Sequence, residues 1–143
     1  MIVKIINTST NELPAYQTAG AAGLDIRANL GEPIVLAPLQ RTLVPTGLFL
    51  EIPEGYEVQV RPRSGLAAKH GITVINAPGT IDSDYRGEVK VPIVNLSDES
   101  FTIAHGERIA QMIFAKYERV TFQQVEELSD TQRGTAGFGS TGK

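Results

Sequence analysis

Short strand-like runs separated by turn residues recur along most of the chain. Several alternate apolar and polar residues, as in Val58-Gln59-Val60 and Val89-Lys90-Val91, which is the period of a strand with one buried face. Glycine or proline stands near each break. Short strands at this spacing are typical of an all-β sandwich, jelly roll or barrel. The predicted strands, about ten in number, span residues 2–6, 24–28, 34–36, 42–52, 56–61, 72–75, 88–96, 101–103, 108–115 and 119–125.

A single short helix is expected among the strands. Ser64 is a residue type that caps helix N-termini, residues 66–70 favour a turn or two of helix, and Gly71 stands where a left-handed C-cap belongs. Pro45 and Pro92 interrupt strand-like runs. Because proline cannot donate to a strand ladder, we expect both prolines at edges, bulges or strand ends.

The composition excludes several kinds of site. A length of 143 residues with 41% hydrophobic content suits one globular domain with a hydrophobic core. The chain has no cysteine, which excludes disulfides, a thiolate nucleophile and a cysteine zinc site. This suits a reducing compartment, so the cytoplasm is the expected location. His70 and His105 lack the spacing of a histidine metal site.

The charge and hydropathy patterns argue against a nucleic-acid or membrane partner. The net charge is −3, whereas binding a nucleic acid needs clustered positive charge across one face. Positive charge collects only in the glycine-bearing segments, which suits a small anion. No apolar run approaches the roughly 18 residues of a membrane span, and the N-terminal apolar run is too short for a signal peptide.

The C-terminal segment differs in composition from the rest of the chain. Apolar residues nearly vanish from Ser129 onward, and four glycines fall between Gly134 and Gly142. Such a segment cannot bury enough surface to order itself. We therefore expect a β domain over residues 1–128 and a mobile, glycine-rich arm over residues 129–143.

Residues 79–87 combine two acids, an aromatic residue and an arginine in a bend bounded by glycines. For a lone pair of acids in a loop, the ordinary interpretation is a turn whose side chains bond their own backbone. Two further glycine-bearing segments also carry arginines, so we favour a phosphate site with a water activator. Either Asp82 or Asp84 suffices to orient a water for attack on phosphorus, and the other can pair with Arg86 or another arginine. The residues alone do not choose between the two acids.

The segment of residues 62–67 has the features of an anion site. If the helix starts at Ser64, the free N–H groups of Gly65 and its neighbour point the same way as the Ser64 hydroxyl. Arg63 directly precedes them, and its planar fork suits a phosphate. The alternative interpretation is a serine-capped helix with a neighbouring surface arginine.

Three more side chains allow both a functional and a structural interpretation. Asn76 fits a hairpin turn, but also recognition of a pyrimidine edge by an amide and open backbone groups. Gln111 fits either an exposed strand face or a hydrogen bond to phosphate. Phe138 is the one aromatic residue of the glycine-rich tail, so we favour a stacking lid over packing.

Five ordered segments resemble the five motifs of trimeric dUTPases, and together they extend from about residue 20 to residue 142. The third and fifth are far more specific than a single glycine loop. The segments are Ala22-Gly23-Leu24-Asp25-Ile26-Arg27-Ala28, residues 62–67, residues 79–91, residues 108–114 and residues 133–142.

The resemblance implies a jelly-roll-like subunit that forms a homotrimer, with each active site shared among subunits. The implied reaction cleaves dUTP to dUMP and pyrophosphate with Mg²⁺, which limits uracil incorporation into DNA and supplies dUMP for thymidylate synthesis. The implied partners are the substrate and the other subunits, with no nucleic acid and no membrane.

The third motif implies the nucleoside site and the water activator. By this match, Asp82 resembles the carboxylate that positions the attacking water. Tyr85 resembles the ring beneath the deoxyribose, which leaves no room for a ribose 2′-hydroxyl. The uracil pocket is implied to include Asn76, Gly79, Thr80, Ile81 and Lys90, although Lys90 also fits a solvated strand lysine.

The first, second and fourth motifs imply the phosphate contacts. Arg63, Ser64 and Gly65 resemble the group that binds the α and β phosphates, and Gln111 resembles a further phosphate contact. Asp25 resembles a network residue near the waters of the metal, so no side chain is expected to bind Mg²⁺ directly.

The fifth motif implies a lid that a neighbouring subunit delivers. Phe138 resembles the ring that covers uracil. The implied clamp on the γ phosphate consists of Arg133, Gly139, Ser140 and Thr141.

Two competing functions remain at this point. A dCTP deaminase resembles dUTPases in fold and nucleotide type, but Tyr85 and Phe138 favour hydrolysis, and ammonia release would separate the two. A catalytically idle trimer that binds nucleotide or a protein partner is the other alternative, since fold alone never fixes function. The joint presence of Asp82, Tyr85 and Arg133 speaks against it.

Overall fold

Ten strands and one helix form within residues 1–137, which is the part of the chain that the computed structural model describes. The strands are β1 Lys4–Asn7, β2 Leu24–Arg27, β3 Ile34–Leu36, β4 Arg41–Glu51, β5 Tyr56–Arg61, β6 Ile72–Val74, β7 Gly79–Ile81, β8 Glu88–Asn95, β9 Phe101–Ile103 and β10 Arg108–Lys116. The helix, α1, spans Ser64–His70 between β5 and β6.

The strands form two four-stranded antiparallel sheets and one two-stranded sheet. The first sheet has the order β1-β4-β8-β6, the second β2-β10-β5-β7, and the small sheet pairs β3 with β9. The inward faces are aliphatic, and Ile26, Val58 and Val91 are fully buried between them. The predicted all-β, jelly-roll-like subunit with one short helix is confirmed. Within residues 1–137, no helix has the length and apolar character needed to cross a membrane.

Two strand predictions are wrong. Residues 119–125 form no strand, and the side chains of Val120 and Phe122 are 71% and 93% exposed. An alternating pattern makes a strand only when a sheet edge is available to pair with it, and this segment pairs with no edge within residues 1–137. The structure also contains β7, which the sequence analysis treated as part of a bend. Three residues beginning with glycine carry too little strand signal, and pairing with β5 decides the conformation.

Pro45 lies where expected, but the prediction for Pro92 is wrong, because Pro92 is inside a strand that has a neighbour on each side. The register between β4 and β8 shifts between Pro45 and Leu48, so Pro45 borders a bulge. Pro92 lies within β8, and its carbonyl accepts a 2.9 Å hydrogen bond from Ile75 N, one residue past the end of β6. N–H and C=O of one residue point to the same side of an antiparallel strand, so a donor at position 92 would face the β6 side, past the last residue pair of β6 and β8. Pro92 therefore leaves no hydrogen bond of that ladder unmade.

One of the two predicted helix caps is wrong. Gly71 has φ 64°, ψ 18° and ends α1 as the expected left-handed cap. The N-cap is Arg63 rather than Ser64, and no side chain caps the helix. Arg63 has the extended backbone of a cap residue, and its carbonyl accepts the first helical bond from Ala67 N at 3.0 Å. Ser64 is therefore already inside the first turn.

Candidate active site

The central strand of the second sheet brings three polar positions side by side. Gln111 on β10 pairs with Asp25 on β2 and with Arg61 on β5. Residues directly opposite one another in antiparallel strands share a face, so these three side chains lie on one face of the sheet. The Gln111 amide is fixed there, because Nε2 donates a 3.0 Å hydrogen bond to Pro62 O.

Asp25 lies between two arginines. Its Oδ1 is 3.2 Å from Arg63 Nε, and its Oδ2 accepts a 3.1 Å hydrogen bond from Arg108 Nη1. The Asp25 side chain is 21% exposed, so this cluster borders solvent. One carboxylate between two guanidiniums leaves a net positive charge, which favours an anion at this face.

The start of α1 leaves open space for a ligand beside this cluster. Ser64 and Gly65 are exposed, and a Cβ built on Gly65 meets no atom within 4 Å. Nothing therefore prevents a ligand from approaching the backbone next to Arg63. We call Asp25, Arg63, Ser64, Gly65 and Gln111 the phosphate half-site.

Around the third motif, the chain passes from the first sheet to the second and back to the first. β6 pairs with β8 in the first sheet, and β7 pairs with β5 in the second, so Asn76 lies in a crossover and not in a hairpin. The Asn76 amide lies against Gly79, where an added Cβ would stand 3.2 Å from Asn76 Nδ2. Because Gly79 has no side chain, it leaves space for the Asn76 amide.

Tyr85 is held in place while its ring remains accessible. Its N–H donates to Asp82 O at 3.2 Å, and its hydroxyl donates to Glu88 O at 3.0 Å. The ring lies against Gly87, where an added Cβ would overlap the hydroxyl. The Tyr85 side chain is nevertheless 46% exposed. A fixed, half-exposed ring has the properties of a packing platform for a small ligand.

Asp82 and Asp84 are both exposed and line one open groove with Arg86. Arg86 Nη1 donates to Ser83 O at 2.7 Å and to Tyr85 O at 3.0 Å. None of the ion pairs within residues 1–137 involves either acid, so the expected pairing with an arginine is absent from this part of the chain. Asp82 directly follows β7, whereas Asp84 lies inside the turn, so the ladder fixes the Asp82 backbone more firmly.

The remaining positions of this region surround the same crossover. Thr80 is exposed, and Ile81 is half-buried and packs against the core. Lys90 is exposed and pairs with Glu88, with Nζ 3.4 Å from Oε2. We call Asn76, Gly79, Thr80, Ile81, Asp82, Tyr85 and Lys90 the nucleoside half-site.

Asp82 of the nucleoside half-site lies far from Gln111 of the phosphate half-site in one chain. Asp82 follows Ile81, which pairs with Val58 on β5, while Gln111 pairs with Arg61 of the same strand. Asp82 and Gln111 are therefore four residues apart when both are projected onto β5, and their strands, β7 and β10, are two strand spacings apart across the sheet. At about 3.3 Å per residue and about 4.8 Å per strand, their Cα atoms are roughly 16 Å apart. The structure does not bring Asp82 together with Arg63 or Gln111.

Within residues 129–137, the C-terminal segment forms hydrogen bonds only to its own neighbours. Arg133 Nε donates to Ala136 O at 2.9 Å, and Gly134 N donates to Thr131 O at 3.1 Å. The other tail residues predicted to bind substrate lie outside the described residues; they are Phe138, Gly139, Ser140 and Thr141.

Sequence reasoning missed Arg108, which contacts Asp25 and Arg63 of the phosphate half-site. The signal for it is the pair Ile109-Ala110, two consecutive apolar residues between the polar Arg108 and Gln111. Such a pair breaks strict alternation and indicates a bulge in the strand.

Comparisons with known proteins agree with this architecture. The family model for dUTPase matches residues 9–142. The deoxyuridine 5'-triphosphate nucleotidohydrolase of Cytophaga hutchinsonii is 69% identical over 141 residues, which cover 99% of this chain and 92% of that protein. The protein of the same name from Finegoldia magna is 61% identical over 142 residues, with 99% of both chains covered. A solved structure of the Staphylococcus bacteriophage 80alpha dUTPase with dUPNHPP gives a TM-score of 0.90 at 28% identity, with 99% of both chains covered. The chain belongs to the dUTPase family.

Proposed function

We propose that the chain hydrolyses dUTP to dUMP and pyrophosphate by in-line attack of a water held by Asp82 on the α phosphorus. The observation that carries this proposal is the exposed Asp82 carboxylate at the end of β7, three residues before the fixed Tyr85 ring. A carboxylate free of ion pairs can orient and polarise a water. No covalent enzyme intermediate is required, and the biological role is to limit uracil in DNA and supply dUMP in the cytoplasm.

The nucleoside half-site suits a deoxyribonucleoside. The Asn76 amide and the open backbone of the crossover offer a donor and acceptors to the uracil edge. The Tyr85 ring packs beneath the sugar and leaves no room for a 2′-hydroxyl. Further lining comes from Gly79, Thr80, Ile81 and Lys90.

The phosphate half-site suits the triphosphate. Arg63 supplies charge-assisted hydrogen bonds to the α and β phosphates beside the exposed Ser64 and Gly65. Gln111 contributes a neutral donor on the same face. These groups stabilise the charge that develops on the departing pyrophosphate.

Mg²⁺ fits this donor set as an ion that arrives on the substrate. When bound, it neutralises charge on the triphosphate oxygens. Residues 1–137 contain no group of three or more His, Cys, Asp or Glu side chains that could hold a metal. Both oxygens of Asp25 already contact arginines, so this carboxylate suits hydrogen bonds from metal-bound waters better than direct ligation.

The separation of Asp82 from Gln111 supports a shared active site. Their Cα atoms are roughly 16 Å apart in one chain, which favours a site that combines the nucleoside half-site of one chain with the phosphate half-site of another. A homotrimer satisfies this requirement at three equivalent sites. The arm of residues 129–143 then closes each site from a neighbouring subunit, with Arg133, Ser140 and Thr141 on the γ phosphate and Phe138 over uracil.

The proposal predicts a narrow substrate range. Pyrophosphate release measured with dUTP, UTP, dCTP and dTTP, each with and without Mg²⁺, should be fast only for dUTP with Mg²⁺. Release from UTP at the same rate would contradict the role of Tyr85. Ammonia release from dCTP would indicate a deaminase instead, and turnover of none of the four would favour an idle nucleotide-binding trimer.

A substitution at Gly23 tests the placement of Gln111. A Cβ at position 23 would overlap Gln111 Oε1, so Gly23→Ala should push the amide away from Pro62 O. Because the displaced atom is the end of a flexible side chain, we expect little change in melting temperature. We expect kcat/KM for dUTP to fall by roughly tenfold, the usual effect of losing one hydrogen bond to a charged group. Gly20→Ala, which meets no atom within 4 Å, is the matched control.

A further inference from the structure

Arg108 contacts the phosphate half-site in two ways. Its side-chain Nη1 donates to Asp25 Oδ2 at 3.1 Å, and its backbone carbonyl accepts a 3.1 Å hydrogen bond from Arg63 Nη1. Asp25 Oδ1 in turn lies 3.2 Å from Arg63 Nε. Arg108 therefore borders both the carboxylate and the guanidinium of this half-site.

A β-bulge in β10 explains how Arg108 reaches this face. β10 pairs with β2 through Ala110 and Ile26 and then through Arg108 and Arg27, so Ile109 is an extra residue. Ile109 and Ala110 are 3% and 0% exposed, so two consecutive side chains enter the core. Strict alternation would have placed Arg108 on the core side with Ala110. The bulge returns Arg108 to the face that carries Asp25.

We propose that Arg108 is a positioning residue that fixes the guanidinium of Arg63, an inference that rests on the proposed function. The contacts with Asp25 and with the Arg108 carbonyl use Nε and Nη1 of Arg63, and neither uses Nη2. A guanidinium held at two nitrogens presents the third to a phosphate in a fixed direction. Because less side-chain freedom is lost on binding, the same contact yields a higher affinity.

The side chain of Arg108 acts in this arrangement through Asp25. Without the Arg108 side chain, the Asp25 carboxylate would be free to rotate and to pair with more than one nitrogen of Arg63. Arg63 would then be turned toward the carboxylate and away from the triphosphate. The second positive charge also keeps the cluster cationic, which a single arginine paired with Asp25 would not.

A double-mutant cycle between Arg108→Gln and Arg63→Gln tests the inference. The dissociation constant of the analogue dUPNHPP is measured by calorimetry, and kcat/KM for dUTP is measured alongside. We expect Arg108→Gln to weaken dUPNHPP binding roughly 10- to 100-fold in the wild-type background. On the Arg63→Gln background the further loss should be markedly smaller, because the residue that Arg108 positions is gone and only the charge of Arg108 remains to be lost.

Two further variants separate positioning from a general structural role. Arg108→Lys keeps a charge that can reach Asp25 and should recover most of the affinity. Arg27→Gln removes the same charge from the paired position on β2, where Arg27 Nη1 donates to Gly106 O and not to Asp25, and should leave binding nearly unchanged. If Arg108→Gln does not fold, the same cycle with Arg108→Met, which keeps most of the aliphatic stem and removes the charge, gives the coupling.

The outcomes are distinguishable. Additive losses in the cycle, or equal losses for Arg108→Gln and Arg27→Gln, would overturn the positioning role while the wild type continues to hydrolyse dUTP. A wild type that binds dUPNHPP with the expected coupling but releases no pyrophosphate from dUTP would reject the proposed function and support the positioning role.

Discussion

Replacing Asp82 with asparagine is expected to slow pyrophosphate release from dUTP by roughly 1,000-fold, within the range of about 10² to 10⁴ that a positioned acid or base contributes. Asparagine keeps the size of the side chain but cannot polarise a water as a carboxylate does. Since Asp82 is exposed and its backbone is fixed at the end of β7, the fold and the subunit assembly should be unaffected. Single-turnover kinetics with dUTP measures the chemical step directly.

The matched control is Asp84→Asn. Asp84 lies in the same turn, lines the same groove and carries the same charge, so both variants change the electrostatics of the region equally. We expect Asp84→Asn to change turnover by less than about tenfold, and both variants to bind dUPNHPP nearly as the wild type does. Turnover of Asp82→Asn close to the wild-type rate would reject the assignment, and a larger loss for Asp84→Asn would transfer the role to Asp84.

Deleting residues 129–143 is expected to lower kcat by roughly 100-fold or more without unfolding the protein. The arm is proposed to exclude water and to orient the triphosphate, which are effects on the bound complex. The hydrogen bonds of Arg133, Gly134 and Ala136 are with neighbours in the same segment, so removal of the described part of the arm, residues 129–137, breaks no hydrogen bond to the sheets. Circular dichroism and the melting temperature check the fold, and steady-state kinetics with dUTP checks the lid.

A mixing experiment separates the arm from other effects of truncation. If the arm closes a site on a neighbouring subunit, trimers assembled from truncated chains and full-length Asp82→Asn chains should regain part of the activity that neither parent has. In such mixtures some sites combine an intact Asp82 with an intact arm. An unchanged kcat after truncation, or mixed trimers as inactive as both parents, would contradict a shared lid.

The pattern of strand-like segments in the sequence predicted most of the fold. The strand-like patterns placed nine of the strands within a residue or two, because burial of alternate side chains, which most of these segments show, is the period of a strand and not of a helix. The same rule failed at residues 119–125, where the alternation is present but no strand lies alongside within residues 1–137 to pair with it. It also missed β7, whose conformation depends on pairing with β5 and not on its own three residues.

The candidate site was predicted as a set of residues but not as an arrangement. Residue chemistry and the family resemblance selected Asp82, Tyr85, Arg63 and Gln111, while the sequence offered no measure of the distances among them. The register of β5 with β7 and β10 supplies one such distance and separates the Cα atoms of Asp82 and Gln111 by roughly 16 Å. This separation is the physical reason for proposing that one chain cannot complete a site alone.

The sequence by itself determined the family, the all-β class and the residue types available for nucleotide chemistry. The class follows from periodicity and the family from the resemblance to five ordered motifs, and both are carried by short segments. The tertiary structure alone decided that Asn76 lies in a crossover, that Arg63 rather than Ser64 caps α1, and that a bulge at Ile109 turns Arg108 toward Asp25. The crossover and the bulge depend on strand pairing between segments distant in sequence, and the free energy of that pairing overrides the local preference of any one segment. The cap at Arg63 reflects the extended backbone with which the chain enters α1.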